Sequence, residues 1–293
     1  MKKVSVLTII LHIILILLSL SCIVPILFLV SISLSSEQSI VQYGYTFIPK
    51  SFSVEAYKIA FANPTEIFNA YKVTAAFSII GVILSLIVQS MVAYPLSKAN
   101  YKFKKITTIY IFITMLFSGG LVPCYIINTQ YLHLNDNFLI YILPGLVSAW
   151  NIIVIRTFFQ GLPAGLCEAA KIDGASEYRI YLQIILPLSK PVLATIGFMT
   201  LLGKWNDWNT SLIYIRNPEL YSLQYLLQRI LREAEYVKKV ADTTSAAFIN
   251  TEDLPVETYK YAMCILASGP MLVVFPFFQK YFTKGLTIGA VKG

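Results

Sequence analysis

Six stretches of about twenty residues run nearly free of charged side chains: 7–34, 73–96, 106–127, 137–158, 190–214 and 259–282. A charge at the centre of a bilayer is costly, so segments of this length and character are predicted to be helices that cross one. Only 13% of the chain is charged and 57% is hydrophobic. Soluble domains carry roughly 25% charged residues, so a chain this poor in charge needs lipid as a second solvent. The first apolar run follows Lys2 and Lys3, and Ser19-Leu20-Ser21-Cys22 resembles a lipoprotein cleavage site. The run continues past Cys22 to about Leu34, longer than the apolar part of a signal peptide, so it is expected to span and stay.

The short loops set an orientation. Loop 97–105 carries Lys98, Lys102, Lys104 and Lys105 with no acidic residue, whereas 128–136 carries no Lys or Arg. Basic loops face the cytoplasm, which places the first loop inside and the second outside. Lys2, Lys3, the Arg156–Lys190 segment, Lys280, Lys284 and Lys292 then all fall inside, and both termini are cytoplasmic. The net charge of +8 is spread over these patches, so it argues for membrane topology and against a nucleic-acid partner. Cys22, Cys124, Cys167 and Cys264 are scattered and do not cluster with His12 or His133, so neither a metal site nor a disulfide framework is expected.

The chain therefore divides into an N-terminal span (1–34), an external segment (35–72), a core of five spans (73–282) and a C-terminal tail (283–293). The core includes a cytoplasmic loop, 160–189, and an external loop, 215–258. Segment 35–72 holds an amphiphilic patch at Phe52–Tyr57. In 215–258, Leu223, Leu226, Leu227, Ile230 and Leu231 recur at helical spacing, which predicts an ordered surface helix with something to pack on.

Loop 160–189 contains two short helices by its residues. Glu168-Ala169-Ala170-Lys171 is strong helix former, Asp173-Gly174 breaks it, and a second helix starts near Ser176 and ends at Leu186-Pro187. Ala169, Ala170, Gly174 and Ala175 leave a shape that a partner could grip, with Glu168 offering one charge. A helix lying on the bilayer through Ile172, Ile180 and Ile184 fits those residues equally well.

This loop resembles the EAA loop of ABC-importer permeases: Glu-Ala-Ala, three residues, Gly, nine residues, Ile-x-Leu-Pro. All seven positions are filled, by Glu168, Ala169, Ala170, Gly174, Ile184, Leu186 and Pro187. The C-terminal run Gln279–Gly293 and Trp205-Asn206 are similar to the carbohydrate-uptake, MalG-like permeases. Phe117-Ser118-Gly119-Gly120 and Arg156-Thr157-Phe158-Phe159 point within that group to the LplC/YtcP type. The resemblance covers most of 70–293. It implies an all-α membrane protein of six spans with the type I importer fold, in a bacterial cell membrane. It implies that Glu168, Ala169, Ala170, Asp173, Gly174, Leu186 and Pro187 couple to an ATPase subunit. A tail including Lys284, Gly285, Gly289 and Lys292 would reach between two such subunits. The implied partners are a sister permease forming a heterodimer, two ATPase subunits, an external solute-binding lipoprotein and the lipid bilayer. The implied cargo is an oligosaccharide or other glycan, moved by alternating access.

Lys204 and Asp207 lie three residues apart and so on one helical face. With Trp205, Trp208, Asn209 and Asn151 they could line a substrate path, the indoles stacking on sugar rings; a structural pair near the outer interface explains them too. Gly119, Gly120 and Pro123 suit close helix packing in preference to a kink. The chain has no phosphate-binding loop of GxxxxGK[ST] spacing and no GxSxG near its two histidines. No catalytic residue, metal or cofactor is expected, and ATP hydrolysis belongs on another chain. An ion-coupled carrier would predict buried acids in several spans, and only Asp207 qualifies. An ABC permease for a non-sugar solute shares the loop motif, and the tail argues against it.

Overall fold

The computed structural model describes residues 6–62, 64–243 and 256–290. The helices in chain order are α1 (Val6–Ser33), α2 (Glu37–Tyr43), α3 (Glu55–Ala60), α4 (Pro64–Ser97), α5 (Lys104–Leu116), α6 (Leu121–Ile126), α7 (Ala149–Gln160), α8 (Ala164–Ile172), α9 (Glu177–Ile180), α10 (Leu186–Leu188), α11 (Lys190–Trp205), α12 (Asn209–Tyr214), α13 (Leu223–Thr243) and α14 (Val256–Ala290). Among the described residues there is no strand, only an isolated bridge between Ser35 and Phe52. Stretches of α1, α4 and α14 are each long and apolar enough to cross a membrane unbroken. Three further candidates are pairs bent at a short break: α5 with Leu121–Tyr131 by 111°, α7 with α8 by 73°, and Glu177–Leu188 with α11 by 76°. The chain divides into two compact units, Met1–Ile67 with Leu226–Pro270, and Phe68–Tyr225 with Met271–Gly293.

In the first unit, the apolar window of α1 is wholly exposed, as suits a helix whose surroundings are lipid or another chain. Residues 34–62, which follow, are tied together by hydrogen bonds. Ser33 and Tyr57 share a hydroxyl hydrogen bond of 2.9 Å, and Ser53 donates its backbone N–H to Leu34. The start of α14 is capped from a distance. One Glu37 oxygen accepts the Glu257 N–H (3.0 Å), and the other accepts the N–H and hydroxyl of Thr258 (3.0 and 2.9 Å). These bonds satisfy two donors that a helix start otherwise leaves orphaned. The expected helix in 215–258 is present as α13, and it packs by Leu226 and Leu227, both buried.

In the second unit, the expected spans 106–127, 137–158 and 190–214 are each interrupted. The first breaks at Phe117–Gly120, where Gly120 takes φ +82°. A Cβ at Gly120 would meet nothing of this chain within 4 Å, and the positive φ makes this glycine part of a turn. Residues 137–148 are not α-helical: Phe138–Tyr141 form a 3-10 turn capped by Asn137, and α7 begins only after Ser148 accepts the Asn151 N–H. Pro144-Gly145 explains the gap, because proline lacks the N–H a helix needs and glycine weakens it further. The last of the three stops at Trp205 and restarts at Asn209.

Such breaks free backbone groups that an apolar medium would leave unpaired. Polar side chains inside the spans meet them. Gln89 of α4 donates to the Leu146 carbonyl (2.9 Å), and Lys204 of α11 donates to the Tyr141 carbonyl (2.7 Å). Two buried clusters hold the unit. One gathers Phe77, Leu134, Ile140, Tyr141, Ile142 and Ile215, with the Phe77 and Tyr141 rings stacked at 4.3 Å. The other includes Tyr94, Ile152, Ile155, Ile180, Tyr181 and Ile196.

Candidate functional site

The second cluster supports α8 to α10, the segment that carries the Glu-Ala-Ala sequence. Helix α8 ends in a left-handed turn. Gly174 has φ +76°, its N–H bonds to the Lys171 carbonyl (3.0 Å), and the Ala175 N–H bonds to the Ala170 carbonyl (2.9 Å). This paired pattern is a Schellman motif, and its φ is one that L side chains rarely adopt. Ser176 then caps α9 by accepting the Arg179 N–H. The sequence-expected elbow is therefore present, with its turn at the expected glycine.

The second arm ends at Leu188, within a residue of the expected Leu186-Pro187, and it contains a π-helical turn, Tyr181–Ile185. A proline crowds the carbonyl four residues back, and a wider turn before it relieves that clash. The break falls at Ser189, where the 76° bend into α11 begins.

The elbow has two unlike faces. Cys167 and Ala170 of α8 and Ala175, Ile184 and Leu186 pack against the cluster, while Pro187 is exposed. Tyr94 donates its hydroxyl to one Glu177 oxygen (2.6 Å), Lys171 pairs with the other (2.6 Å), and Tyr181 shares a 2.7 Å bond with Ser90. The opposite face of α8 presents Gly165, Glu168, Ala169 and Ile172, spaced to share one side of the helix. All four are exposed, and Ile172 is 87% so. Asp173 and Gly174 at the turn are exposed too. This face is open, with one large apolar side chain among small ones and a single carboxylate.

Of the tail residues, Lys284, Gly285 and Gly289 lie on α14, which continues as helix to Ala290 with no break at 282. Lys292 lies outside the described residues.

Of the proposed path residues, Lys204 and Asp207 do not form the ion pair their spacing offers. Lys204 lies against Gly81, whose added Cβ would stand 2.5 Å from the lysine Cε, and near Gly145. Asp207 accepts instead from the N–H and hydroxyl of Thr210 (3.0 and 2.6 Å), closing the gap between α11 and α12. Trp205 is buried, with its ring 6.4 Å from that of Tyr71. Trp208 and Asn151 are half-buried, and Asn209 is exposed.

Several residues that matter here were not singled out by sequence. Gln89 was detectable as the lone amide in an apolar span; Gly81 and Tyr141 had no such signal. Asp136 is a third. Its Oδ1 accepts the backbone N–H of Asn217 (2.8 Å) and of Arg216, tying loop 132–137 to the chain after α12. Those two donors, the Asn217 bond foremost, hold its carboxyl below the usual range, with the Arg216 charge adding to them and slight burial opposing.

Residues 71–288 match the family described as binding-protein-dependent transport system inner membrane component. The chain is 36% identical over 271 residues to the protein LplC of Bacillus subtilis (strain 168), covering 92% of this chain and 90% of that protein. It is 32% identical over 275 residues to the polygalacturonan/rhamnogalacturonan transport system permease protein YtcP of the same organism, covering 94% of each. A crystal structure of a bacterial ABC transporter involved in the import of the acidic polysaccharide alginate contains a similar chain. That chain matches with a TM-score of 0.77 and 28% identity, over 96% of this chain and 98% of its own.

Proposed function

The chain belongs to the family of binding-protein-dependent transport system inner membrane components, multi-pass permeases of sugar ABC importers, and from that premise we propose that it moves an oligosaccharide or related glycan into a bacterial cell. An external solute-binding lipoprotein delivers the glycan. A sister permease completes the pore as a heterodimer, and two ATPase subunits beneath it hydrolyse ATP and drive alternating access. The elbow transmits that movement. Glu168, Ala169, Ala170, Asp173 and Gly174 seat in the ATPase, Leu186 and Pro187 join the elbow to α11, and the end of α14 with Lys284, Gly285, Gly289 and Lys292 reaches the ATPase pair. Lys204, Trp205, Asp207, Trp208, Asn209 and Asn151 belong to the region through which the glycan passes.

The observation that carries this reading is the bare outer face of α8 above a braced base. Glu168 lies in the middle of that face, which suits a protein cleft with a basic group better than acyl chains. The test is uptake of labelled oligosaccharides by vesicles holding the chain with its sister permease, ATPase subunits and binding protein. Uptake should need ATP and binding protein, and should survive collapse of the proton gradient. Uptake that persists without ATP and stops when the gradient collapses would mean an ion-coupled carrier instead.

A further inference from the structure

A cleft of 520 Å³ opens beside the elbow, between the end of α4, the chain at 98–101 and helices α8 and α9. Its walls are mixed: Met91 and Pro95 are apolar, Tyr94, Tyr101 and Tyr178 are aromatic, and Lys98 and Lys171 are cationic. The one carboxylate there, Glu177, is already engaged by Lys171 and Tyr94. Lys98 lends its charge to Glu177 without a hydrogen bond between them. Its ammonium lies 4.6 Å above the Tyr94 ring, and among the described residues it has neither an ion pair nor a hydrogen-bond acceptor. The Tyr101 and Tyr178 hydroxyls likewise donate to no described residue, and Tyr178 is exposed. A second ammonium, that of Lys104, reaches the Lys98 carbonyl (3.1 Å), beside a residue that lines the cleft. An ammonium whose N–H donors have no acceptor among the described residues, with two hydroxyls in the same condition, suits a singly charged phosphate.

What distinguishes the occupant is the surface leading into the cleft. Ile80, Leu84, Ile87 and Met91 recur at three- and four-residue steps along α4, and all are exposed. They form an apolar stripe that enters the cleft at Met91. A soluble anion has no use for such a stripe; an amphiphile does, with its chains along the helix and its headgroup in the basic recess. We propose that this cleft is a binding site for an anionic phospholipid, with Lys98, Tyr101 and Tyr178 holding the headgroup phosphate and the acyl chains lying on the exposed stripe of α4. Basic recesses at the ends of spans take such headgroups. The lipid would fill the space between α4 and the two arms of the elbow and stiffen the base on which the elbow rests. The proposal does not depend on which solute is carried.

The test uses the assembled importer reconstituted in phosphatidylcholine with and without phosphatidylglycerol, then re-extracted in mild detergent. The readout is the phosphatidylglycerol retained per complex, measured by mass. Lys98→Gln should lower retention about fivefold. Lys105→Gln, which removes the same charge from a residue that does not line the cleft, should leave retention unchanged. Tyr178→Phe, which removes one exposed hydroxyl and disturbs folding least, should lower retention in the same direction, so the question stays open to test even if Lys98→Gln does not assemble. Equal losses in Lys98→Gln and Lys105→Gln would reduce the effect to diffuse surface charge and overturn the proposal. So would displacement of the lipid by soluble glycerol phosphate, since the stripe would then contribute nothing, or wild-type retention in Tyr178→Phe and Lys98→Gln alike.

Discussion

Substitution at Gly174 separates backbone strain from bulk at the elbow. A Cβ there would meet no atom of this chain within 4 Å, so within the chain the cost is not a collision. It is the φ of +76°, which the paired bonds from Gly174 and Ala175 require. An ordinary L residue in that region loses about 1–2 kcal/mol, or about 5- to 30-fold in the population of the turned elbow. Asparagine tolerates the left-handed region several times better than alanine, and a β-branched residue tolerates it worst. The expected order of harm is therefore Asn, then Ala, then Val. The assay is ATP-driven uptake and ATPase co-purification with the reconstituted importer, after confirming that each variant inserts and assembles with its sister permease. An order set by size, with Gly174→Ala mild and Gly174→Asn nearly as damaging as Gly174→Val, would show that space against a partner governs this position and would refute the strain argument.

Three further outcomes are expected. Ile172→Asp should leave the stability of the chain within about 0.5 kcal/mol, since the side chain is almost wholly exposed, yet remove the ATPase subunit from the purified complex; retained ATPase at wild-type levels would mean that this face is not the docking face. Glu37→Ala removes three hydrogen bonds at the start of α14 and should cost about 0.5–2 kcal/mol, read as a lower melting temperature of the detergent-solubilised protein, with Glu37→Gln milder. Asp136, whose carboxyl titrates lower in the fold than in the unfolded chain, contributes stability that is present above the ordinary carboxylate pKa of about 4 and is lost as pH falls through its depressed value. Proteolysis of loop 132–137 should rise as the pH drops through that window in the wild type, and Asp136→Asn should flatten the profile.

The all-helical membrane fold was legible because lipid enforces a coarse rule that local sequence cannot hide: runs of about twenty apolar residues nearly free of charge, three of them unbroken helices in the structure and three bent pairs. The elbow was legible for a different reason. Gly174 marks a backbone angle, and Ser176 marks a helix start, so the two arms could be divided within a residue or two. The interruptions were not legible, because hydropathy averages over them. Pro144-Gly145 and Phe117–Gly120 are too short to lower an apolar window, yet each ends a helix. The far end of the second arm was legible within a residue, because Pro187 reads as a terminator. The π turn before it depends on how Tyr181 and Ile185 bury, and that is a tertiary fact.

The same gap explains the polar residues of the spans. From spacing alone, Lys204 and Asp207 could pair with each other or face a solute. Instead, each answers a broken helix: Lys204 pairs with the freed Tyr141 carbonyl, and Asp207 with the first donors of α12. Gln89 does the same at Leu146. Irregular backbone persists at membrane depth only where something satisfies it, so these three side chains are the condition for the breaks to exist.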